Sequence, residues 1–483
     1  MPLLSIPSGN VASATAATTY SITNSCRWAF GDSPAMNKSQ TAGNTKTWTY
    51  SWWCKRGVIS GSAENDWFKV YASGSNLFHV RFNTNDDLYC EINNGSAYGF
   101  TTNHKFRDPS AWMHFALIMD TTQGTDTNRM KLFVNGINEL TVGGFSSITY
   151  PAENADLAIN DSAATFYLGT THSATEEFDG YMADVVLLDG TAAAIGDLGE
   201  FDEDSPSIWK PKDPSGLTFG NNGFYLDFKD SANLGNDANG GTDLTESNLA
   251  AIDQCTDTPT NNFCVINPLD NYHFQSTYTQ GNCKIVTGGS GRETFTTGTM
   301  GLTAGKWYYE MKITTASNGD YAGWTSHVST AYNNKLPDNS DKKSIAYKGG
   351  DGGLSEGLSV DGTNTSSGFD AYASGDVIGL YIDLDNLEAY CSKNGVVQNS
   401  GTGLTITAAA LNGSGYYLPG LGDEESDSGT FEVNFGNPVS ALTSAVADAN
   451  GYGAFEYSPS GTFDGASKDF LAICTKNLGS DGG

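Results

Sequence analysis

Apolar and polar residues alternate over short stretches along most of the chain, and turns rich in Gly, Asn, Ser and Asp separate these stretches. Lys306–Ile313, for example, places Trp307, Tyr309 and Met311 on one side of an extended backbone. Successive side chains of a strand point to opposite faces, so this spacing predicts β-strands. No long stretch has the 3.6-residue apolar period of an amphipathic helix. The pattern therefore predicts an all-β protein.

Two apolar stretches each predict a hairpin, because a second strand and an Asn-Gly pair follow. In the first hairpin the two strands are Met113–Met119 and Met130–Val134, followed by Asn135-Gly136. In the second they are Val377–Leu384 and Leu387–Ser392, followed by Asn394-Gly395. Asn and Gly tolerate the positive φ angles of a type I′ turn. Met113–Met119 is apolar on both faces, which predicts a central strand covered on both sides.

Four motifs occur in order within residues 21–198: Trp52-Trp53-Cys54-Lys55, Trp112–Leu117, Leu132–Gly136 and Phe178–Val185. In this order they resemble the laminin-G or concanavalin-A-like family. The resemblance implies a jelly-roll sandwich of a kind that often binds carbohydrate or protein ligands, sometimes through Ca²⁺. We expect Trp48, Trp52 and Trp112 to lie in its core.

Five further motifs occur in order within residues 288–437: Gly305–Glu310, Gly375–Asp385, Lys393–Val396, Tyr417–Gly420 and Val433–Gly436. Together they resemble the SPRY family. The resemblance implies a second two-sheet sandwich, which recognises proteins through variable loops and has no general catalytic activity. Trp307 is expected in its core.

The remaining segments complete the predicted architecture, which is two jelly-roll-type β-sandwiches, laminin-G/concanavalin-A-like and SPRY-like, joined by a loop-rich connector. Residues 1–20 form an N-terminal arm, 199–287 the connector and 438–483 a C-terminal extension. Within the connector, Gly223–Phe228 predicts one strand that pairs with a neighbouring sandwich. The best helical candidate is Leu442–Asp448.

Charge and hydropathy exclude several classes of function. The chain has 25 basic and 55 acidic residues, a net charge of −30, so it should repel phosphate backbones and bind no nucleic acid. Its apolar stretches are all shorter than the ~18 residues of a spanning helix, which predicts no membrane insertion. The N-terminus lacks the features of a secretory signal. The acid excess serves solubility and also suits a marine or saline source.

The eight cysteines form no CxxC pair, which argues against a zinc site. Without a secretory signal the chain is expected to be made in a reducing cytosol, where thiols stay free. Free thiols are therefore predicted. Cys255 and Cys264 are the alternative, a disulfide in a loop-rich region.

No catalytic residue is predicted. The Glu-x-Asp-x-x-Glu spacing of sandwich glycosidases does not occur. His114 falls in the predicted central strand and is expected to be a hydrogen-bonded core histidine. Asp383 and Asp385 are expected in a hairpin turn, where Asp bonds its own backbone.

Two sets of residues are candidates for ligand binding. Four aromatic residues fall in loop-like segments, where exposed rings could stack on sugars or on a partner: Tyr98, Phe100, Tyr332 and Tyr372. Oxygen-bearing residues alternate at Asp237, Asn239 and Asp243, which suggests a Ca²⁺ loop but lacks the bidentate Glu of an EF-hand. A plain Asx and Gly turn is the alternative there, and no other cofactor is predicted.

Two late segments, Tyr452–Tyr457 and Asp469–Leu478, together with the connector, resemble tail-fibre-like and other virion proteins of bacteriophages, especially marine ones. The resemblance implies a non-enzymatic structural or adhesion protein on the virion surface, a tail fibre or tail-associated appendage. Such a protein is made in the host cytoplasm and released by lysis, so it needs no signal peptide. Expected partners are other virion proteins, host surface polysaccharide and further copies of this chain.

Three alternatives remain open at this point. The protein could be a decoration or fibre protein of the phage head. It could be a bacterial carbohydrate-binding lectin or adhesin. The third alternative, a sandwich hydrolase, is disfavoured by the missing carboxylate motif.

Overall fold

The computed structural model describes residues 20–59, 65–173, 176–271, 276–288, 294–317, 319–328, 343–349, 355–423 and 428–481. The chain divides between residues 260 and 261 into two compact units. We call the described residues up to 260 the N-terminal unit and those from 261 the C-terminal unit. Nearly the whole predicted arm, residues 1–19, lies outside the described residues.

The strands of the N-terminal unit are β1 (Ser25–Trp28), β2 (Ala35–Ser39), β3 (Thr47–Arg56), β4 (Asn65–Ser73), β5 (Asn76–Phe82), β6 (Leu88–Asn93), β7 (Ala97–Thr102), β8 (Met113–Asp120), β9 (Met130–Val134), β10 (Ile137–Asn138), β11 (Phe145–Thr149), β12 (Thr165–Leu168), β13 (Gly180–Asp189), β14 (Gly199–Phe201), β15 (Trp209–Pro211), β16 (Phe224–Leu226), β17 (Thr245–Ser247) and β18 (Gln254–Cys255). Short 3₁₀ turns occur at Asp126–Asn128, Glu139–Val142, Ile195–Asp197, Pro214–Gly216 and Ala251–Asp253.

These strands form two large antiparallel sheets. Sheet A has the order β10-β9-β8-β3-β13-β1-β18, with β16 added beside β13, and sheet B has the order β11-β7-β6-β5-β4-β12-β2-β17. Aromatic side chains from both sheets fill the space between them; Trp52 of β3, for example, packs edge-on against Trp67 of β4 with ring centroids 4.7 Å apart. The unit is therefore a β-sandwich with an aromatic core.

The strands of the C-terminal unit are β19 (Ile266–Asn271), β20 (Thr277–Thr279), β21 (Lys284–Val286), β22 (Thr294–Gly298), β23 (Lys306–Thr315), β24 (Tyr321–Thr325), β25 (Ser344–Lys348), β26 (Gly357–Val360), β27 (Thr363–Thr365), β28 (Val377–Asp383), β29 (Glu388–Lys393), β30 (Val396–Val397), β31 (Leu404–Thr405), β32 (Leu418–Asp423), β33 (Thr430–Asn434), β34 (Ser460–Phe463), β35 (Ala466–Asp469) and β36 (Leu471–Ala472). Two 3₁₀ turns, Asn399–Gly401 and Ala409–Leu411, and the helix α1 (Thr475–Asp481) complete it.

The C-terminal unit is again built on two large sheets. Sheet C has the order β19-β22-β32-β24-β25-β26-β27, and sheet D has the order β20-β21-β33-β23-β28-β29-β30, with β31 beside β29. β36 lies parallel to β23, so part of the segment after residue 437 joins sheet D. The predicted fold class, all-β with two jelly-roll-type sandwiches, is confirmed.

Both predicted hairpins and the predicted core tryptophans are confirmed. β8 pairs with β9 and β28 with β29, in antiparallel register. Asn135 and Gly136 have φ angles of 47° and 77°, as a type I′ turn requires. The four expected tryptophans are buried: Trp48, Trp52, Trp112 and Trp307.

Residues of the expected connector contribute strands to both units. β16, inside the predicted strand Gly223–Phe228, pairs with β13, so that expectation is confirmed. β18 pairs with β1, whereas β21 pairs with β33 of the C-terminal unit.

One expected element is wrong. Leu442–Asp448 is not helical; Val446 instead forms an isolated antiparallel bridge with Phe455. The apolar residues of this stretch are used in an extended backbone that pairs within its own unit.

All eight cysteines are buried thiols outside any disulfide, in agreement with the prediction and not with the Cys255–Cys264 alternative. Free Cys is a common core residue because it packs as a small apolar side chain. Among the described residues, no helix combines the length and apolarity needed to cross a bilayer.

Candidate functional site

Two of the four aromatic residues predicted to be exposed are buried. Phe100 lies in β7 and is 3% exposed, and Tyr372 packs in the C-terminal core at 3% exposure, so the expectation of exposed loop rings is wrong for both. Tyr98 is half-buried against the core of the N-terminal unit. Tyr332 lies outside the described residues. Phe100 and the glycine before it, Gly99, both lie inside β7.

The proposed Ca²⁺ loop uses its carboxylates to hold the backbone. Asp237 Oδ1 accepts the N–H groups of Tyr225 (2.9 Å) and Asn239 (3.1 Å), and Asp243 Oδ1 accepts the N–H of Asp237 (3.0 Å). The bond between Asp237 and Asn239 is that of an Asx turn, the stated alternative, and the other two tie the turn to neighbouring backbone. Within the described residues, no group of three or more His, Cys, Asp or Glu side chains could hold a metal ion.

A serine and a histidine do meet in the N-terminal unit, but in the wrong protonation state for catalysis. Ser51 Oγ lies 2.8 Å from His114 Nε2, and the indole N–H of Trp209 donates to His114 Nδ1 at 3.0 Å. Burial lowers the pKa of His114 to about 3, so the ring is neutral. Because Nδ1 accepts from Trp209, Nε2 carries the proton and donates to Ser51. His114 therefore cannot take the proton of Ser51, and it is the hydrogen-bonded core histidine that the sequence predicted.

Asp383 and Asp385 also serve the fold, as predicted. Asp383 accepts the backbone N–H of Asn386 at 2.9 Å and pairs with the Lys468 ammonium at 3.1 Å. Asp385 accepts the N–H of Gly305 at 2.8 Å. The carboxylates of Asp383 and Asp385 are thus both engaged in turn bonds or ion pairs. They do not face each other across a cleft as the two carboxyl groups of a glycosidase do.

The two sheets of the N-terminal unit differ in how their outer faces are covered. The outer face of sheet A is buried by residues that follow β13 along the chain, in an apolar cluster of Ala116, Val186, Leu188, Ala193, Leu198, Phe219 and Tyr225. β13 is accordingly buried at every position. In sheet B, β6 alternates between buried and partly exposed residues, although the outward-facing Lys69 of β4 and His79 of β5 are buried as well. A sheet with one side toward water shows this alternation.

The outer face of sheet B carries a group of large polar and aromatic side chains, which we call the polar face: Lys69, Tyr71, His79, Arg81, Tyr89, Glu91 and Tyr167. They come from β4, β5, β6 and β12. Each alternates with core residues of the same strand, such as Phe68 and Val70 in β4. The alternation fixes their direction, since neighbours in a strand point to opposite sides.

Strand register brings these side chains into a row across the sheet. Tyr167 lies opposite Lys69, Lys69 opposite His79, and His79 opposite Glu91. The row ends at Gly99, which lies opposite Glu91 and has no side chain. Directly opposed residues have Cβ atoms ~5 Å apart. The row therefore ends at a position without a side chain, and within it Lys69 and His79 are buried, at 9% and 3% exposure.

Aromatic rings flank this row on both sides. Tyr71 stacks on His172 with ring centroids 3.7 Å apart and an angle of 14° between the rings. The Arg81 guanidinium lies 4.8 Å from the centroid of the Tyr89 ring. Stacking of this kind holds flat groups in fixed orientations. The surface combines apolar ring faces with polar groups beside them.

Electrostatics make the two histidines neutral at physiological pH. Burial, together with the charges of Lys69 and Arg81, lowers the pKa of His79 to about 3. Burial also lowers the pKa of His172. Neutral imidazoles donate one hydrogen bond and accept another, whereas Lys and Arg only donate and an ionised Glu only accepts. Lys69 and His79 are buried, so the donors and acceptors within reach of a ligand rich in hydroxyl groups are those of Arg81, Glu91, the exposed His172 and the tyrosine hydroxyls.

Sequence reasoning missed this surface, although a signal was present. Polar and aromatic residues two apart occur in three consecutive strands, as Lys69 and Tyr71, His79 and Arg81, and Tyr89 and Glu91. The sequence alone does not give the strand register that aligns these residues across the sheet.

Comparison with protein families matches residues 30–194 to the concanavalin A-like lectin/glucanases superfamily. The match covers the predicted laminin-G/concanavalin-A-like region and includes all seven residues of the polar face. No curated protein matches the sequence. A lectin-like fold indicates a binding role for this part of the chain.

Several solved structures are similar to parts of the chain. The SPRY domain of human HERC1 is 17% identical, with 31% of this chain and 86% of that chain covered and a TM-score of 0.25. The heptameric SAP-like pentraxin of Limulus polyphemus is 13% identical, with 36% and 80% covered and a TM-score of 0.26. Domain 4 of the arabinanase AbnA from Geobacillus stearothermophilus, solved with arabinotriose, is 17% identical, with 32% and 65% covered and a TM-score of 0.24. These values are too low to indicate a shared ligand.

Proposed function

We propose that the protein is a non-enzymatic adhesion protein that binds glycans through the polar face of its N-terminal unit. The observation that carries the proposal is the row from Tyr167 through Lys69 and His79 to Glu91 on the outer face of sheet B, with partly exposed tyrosine rings beside it. Tyrosine rings offer apolar faces to the C–H groups of a sugar, while the adjacent charged and imidazole groups bond its hydroxyls.

The chemistry of the surface favours binding over cleavage. Among the described residues, the serine–histidine pair has the wrong tautomer and the acidic residues of the Asp383 hairpin are engaged in turn bonds. The seven residues of the polar face include one carboxyl group, that of Glu91, whereas glycosidases generally use a pair, so the proposed surface holds its ligand unchanged.

We further propose that the protein acts on the surface of a bacteriophage particle, as a tail fibre or tail-associated appendage. The support is the resemblance of Tyr452–Tyr457 and Asp469–Leu478 to virion proteins, and the order of a lectin-like sandwich before a SPRY-like one. In this setting the ligand is host surface polysaccharide, and the partners are other virion proteins and further copies of the chain. Repeated copies on one particle would raise the strength of attachment by multivalency.

The experiment is a binding screen of the full chain on an array of bacterial surface polysaccharides, together with Tyr71→Ala and Tyr167→Ala. We expect binding by the wild type and loss of signal in both variants. Phe201→Ala is the matched control, because Phe201 is also an exposed aromatic residue, 40% accessible, but lies on the side of sheet A. Its ring contacts Trp209, which donates a hydrogen bond to His114 of sheet A. Signal lost equally in all three variants, or no polysaccharide bound, would count against the glycan site.

The location is tested separately by mass spectrometry of purified phage particles from the source community. Peptides of this chain at a fixed ratio to the capsid protein would support the virion assignment. A chain found only in particle-free medium would contradict it.

A further inference from the structure

A cavity of about 260 Å³ lies in the C-terminal unit, between sheet D and the segment 438–443. Its wall includes charged, apolar and aromatic side chains, among them Val377, Glu432, Val439, Leu442, Glu456 and Tyr457. This cavity is part of neither the polar face nor the hairpin of Asp383. Ala441 and Thr443 of its wall are exposed to solvent, so a group projecting from another molecule can enter it.

Carboxylates hold the walls of the cavity in place. Glu310 of β23 accepts the backbone N–H groups of Glu456 (2.9 Å) and Tyr457 (2.8 Å). The Glu456 carboxylate in turn accepts the N–H of Thr443 at 2.9 Å, which fixes the segment that roofs the cavity. The binding space is thus preformed, and a ligand does not have to order these segments.

Negative charge outweighs positive charge in the lining. Three carboxylates, those of Glu310, Glu432 and Glu456, face one ammonium, that of Lys312. Lys312 lies 3.5 Å from Glu432 and is 42% exposed, a weak and solvated pair. Burial raises the pKa of Glu310, yet even with Glu310 neutral the carboxylates outnumber the ammonium. The cavity therefore favours a positively charged ligand.

The rest of the lining matches the stem of a long basic side chain. Val377, Val439 and Leu442 supply apolar wall, and Tyr457 supplies an aromatic ring. Lys and Arg side chains bury their methylene stems along apolar surface and keep the charged head among polar groups. The volume is below the ~300–1,000 Å³ of small-molecule sites, so it suits one side chain better than a whole ligand.

We propose that this cavity receives an arginine side chain of a partner protein, with the guanidinium between Glu432 and Glu456 and beside the ring of Tyr457. Arginine is favoured over lysine because its planar guanidinium forms paired hydrogen bonds with carboxylates and stacks on aromatic rings. The C-terminal unit is then a protein-docking module that recognises a projecting basic residue. The site is independent of the glycan surface proposed above.

The test uses the full chain and two peptides, acetyl-Gly-Arg-Gly-amide and its citrulline counterpart, which has the same shape without the charge. Chemical-shift changes of the peptide and calorimetry measure binding. We expect the arginine peptide to bind weakly, on the order of 1 mM since one side chain buries little area, and the citrulline peptide at least tenfold more weakly. Equal binding of the two peptides, or none by either, would overturn the proposal.

Three variants locate the binding. Glu456→Gln keeps an oxygen for the Thr443 N–H but removes the charge, and should weaken binding about tenfold. Ala441→Phe fills the cavity from its exposed roof without changing any charge, and should abolish binding. Asp469→Asn removes one charge from an exposed position of β35 outside the lining and should leave binding unchanged. Equal losses in Glu456→Gln and Asp469→Asn would show attraction to overall charge instead, and would refute the site.

Discussion

The Lys55 ammonium lies 2.8 Å from the Asp257 carboxylate, and both side chains are only 1% exposed. Asp257 also accepts the indole N–H of Trp112 at 2.8 Å. Lys55 belongs to β3, whereas Asp257 follows β18 near the end of the N-terminal unit. The pair thus fastens residues of the expected connector to the sandwich that precedes it.

Lys55→Met should strongly destabilise the N-terminal unit. It leaves the Asp257 carboxylate buried without its cation, which typically costs about 3–5 kcal/mol in the free energy of unfolding. Denaturant unfolding measures the loss. Lys46→Met is the matched control, because the Lys46–Asp156 pair is 3.8 Å apart with side chains 36% and 71% exposed, and we expect a change below about 1 kcal/mol. Equal losses in the two variants would contradict this role for Lys55.

Gly136→Ala should destabilise the hairpin of β9 and β10. Gly136 has a φ of +77°, and an added Cβ would lie 2.3 Å from the Trp209 ring. The left-handed backbone and the clash together should cost about 2 kcal/mol or more. Gly124→Ala is the control, since its added Cβ would meet nothing within 4 Å. Thermal unfolding and Trp209 fluorescence report the change, and a Gly136→Ala protein as stable as Gly124→Ala would refute the account of this turn.

His114 should stay neutral far below the usual pKa of histidine. Its pKa is lowered to about 3 by burial, whereas the unfolded chain takes up the proton near pH 6.5. Stability due to the neutral ring is therefore fully present above pH ~6.5 and is lost as the pH falls toward 3, by about 1.4 kcal/mol per pH unit. NMR of the imidazole should show no titration between pH 8 and 5.

The control for this prediction is the difference in unfolding free energy between wild type and His114→Gln across the same pH range. Burial raises the pKa values of Asp179 and Asp184 to about 7, and these groups act in the opposite direction. The contribution of each of these two groups to the free energy of unfolding falls as the pH rises from ~4 to 7. These contributions are common to both proteins and cancel in the difference. A difference that does not change with pH would show that His114 titrates normally.

Calcium should not stabilise the loop around Asp237. The carboxylates of Asp237 and Asp243 already accept backbone N–H groups, so the turn is bonded without a cation. Adding Ca²⁺ or a chelator should leave the Tm unchanged. A rise in Tm with Ca²⁺ that disappears in Asp243→Asn would establish a metal site there.

Local turn chemistry is the part of the fold that sequence predicts well. Asn135-Gly136 and Asn394-Gly395 each require positive φ angles that few other residues adopt, so both hairpins follow from a few adjacent residues. The helix predicted at Leu442–Asp448 is wrong, and α1 is not predicted from the sequence. Both are short segments, which take the conformation that their neighbours impose. Val446 is held extended by Phe455, and Thr475 of α1 is fixed by its backbone bond to Asn262.

The polar face shows the limit of the same reasoning. The alternation of Tyr89 and Glu91 is local, but the row depends on the pairing of Tyr167 with Lys69, about 98 positions away, which strand periodicity alone does not specify. Phe100 was misassigned for a related reason. The glycine before it is a close-approach position, since its Cβ would lie 1.9 Å from the Cys90 carbonyl oxygen.

The most direct test of glycan binding is calorimetric titration of the full chain with the polysaccharide that binds best on the array. The account predicts that the double variant Tyr71→Ala/Tyr167→Ala binds at least tenfold more weakly, about 1.4 kcal/mol, while Phe201→Ala keeps wild-type affinity. All three proteins should have similar unfolding midpoints. Wild-type affinity in the double variant would place the glycan elsewhere and contradict the account.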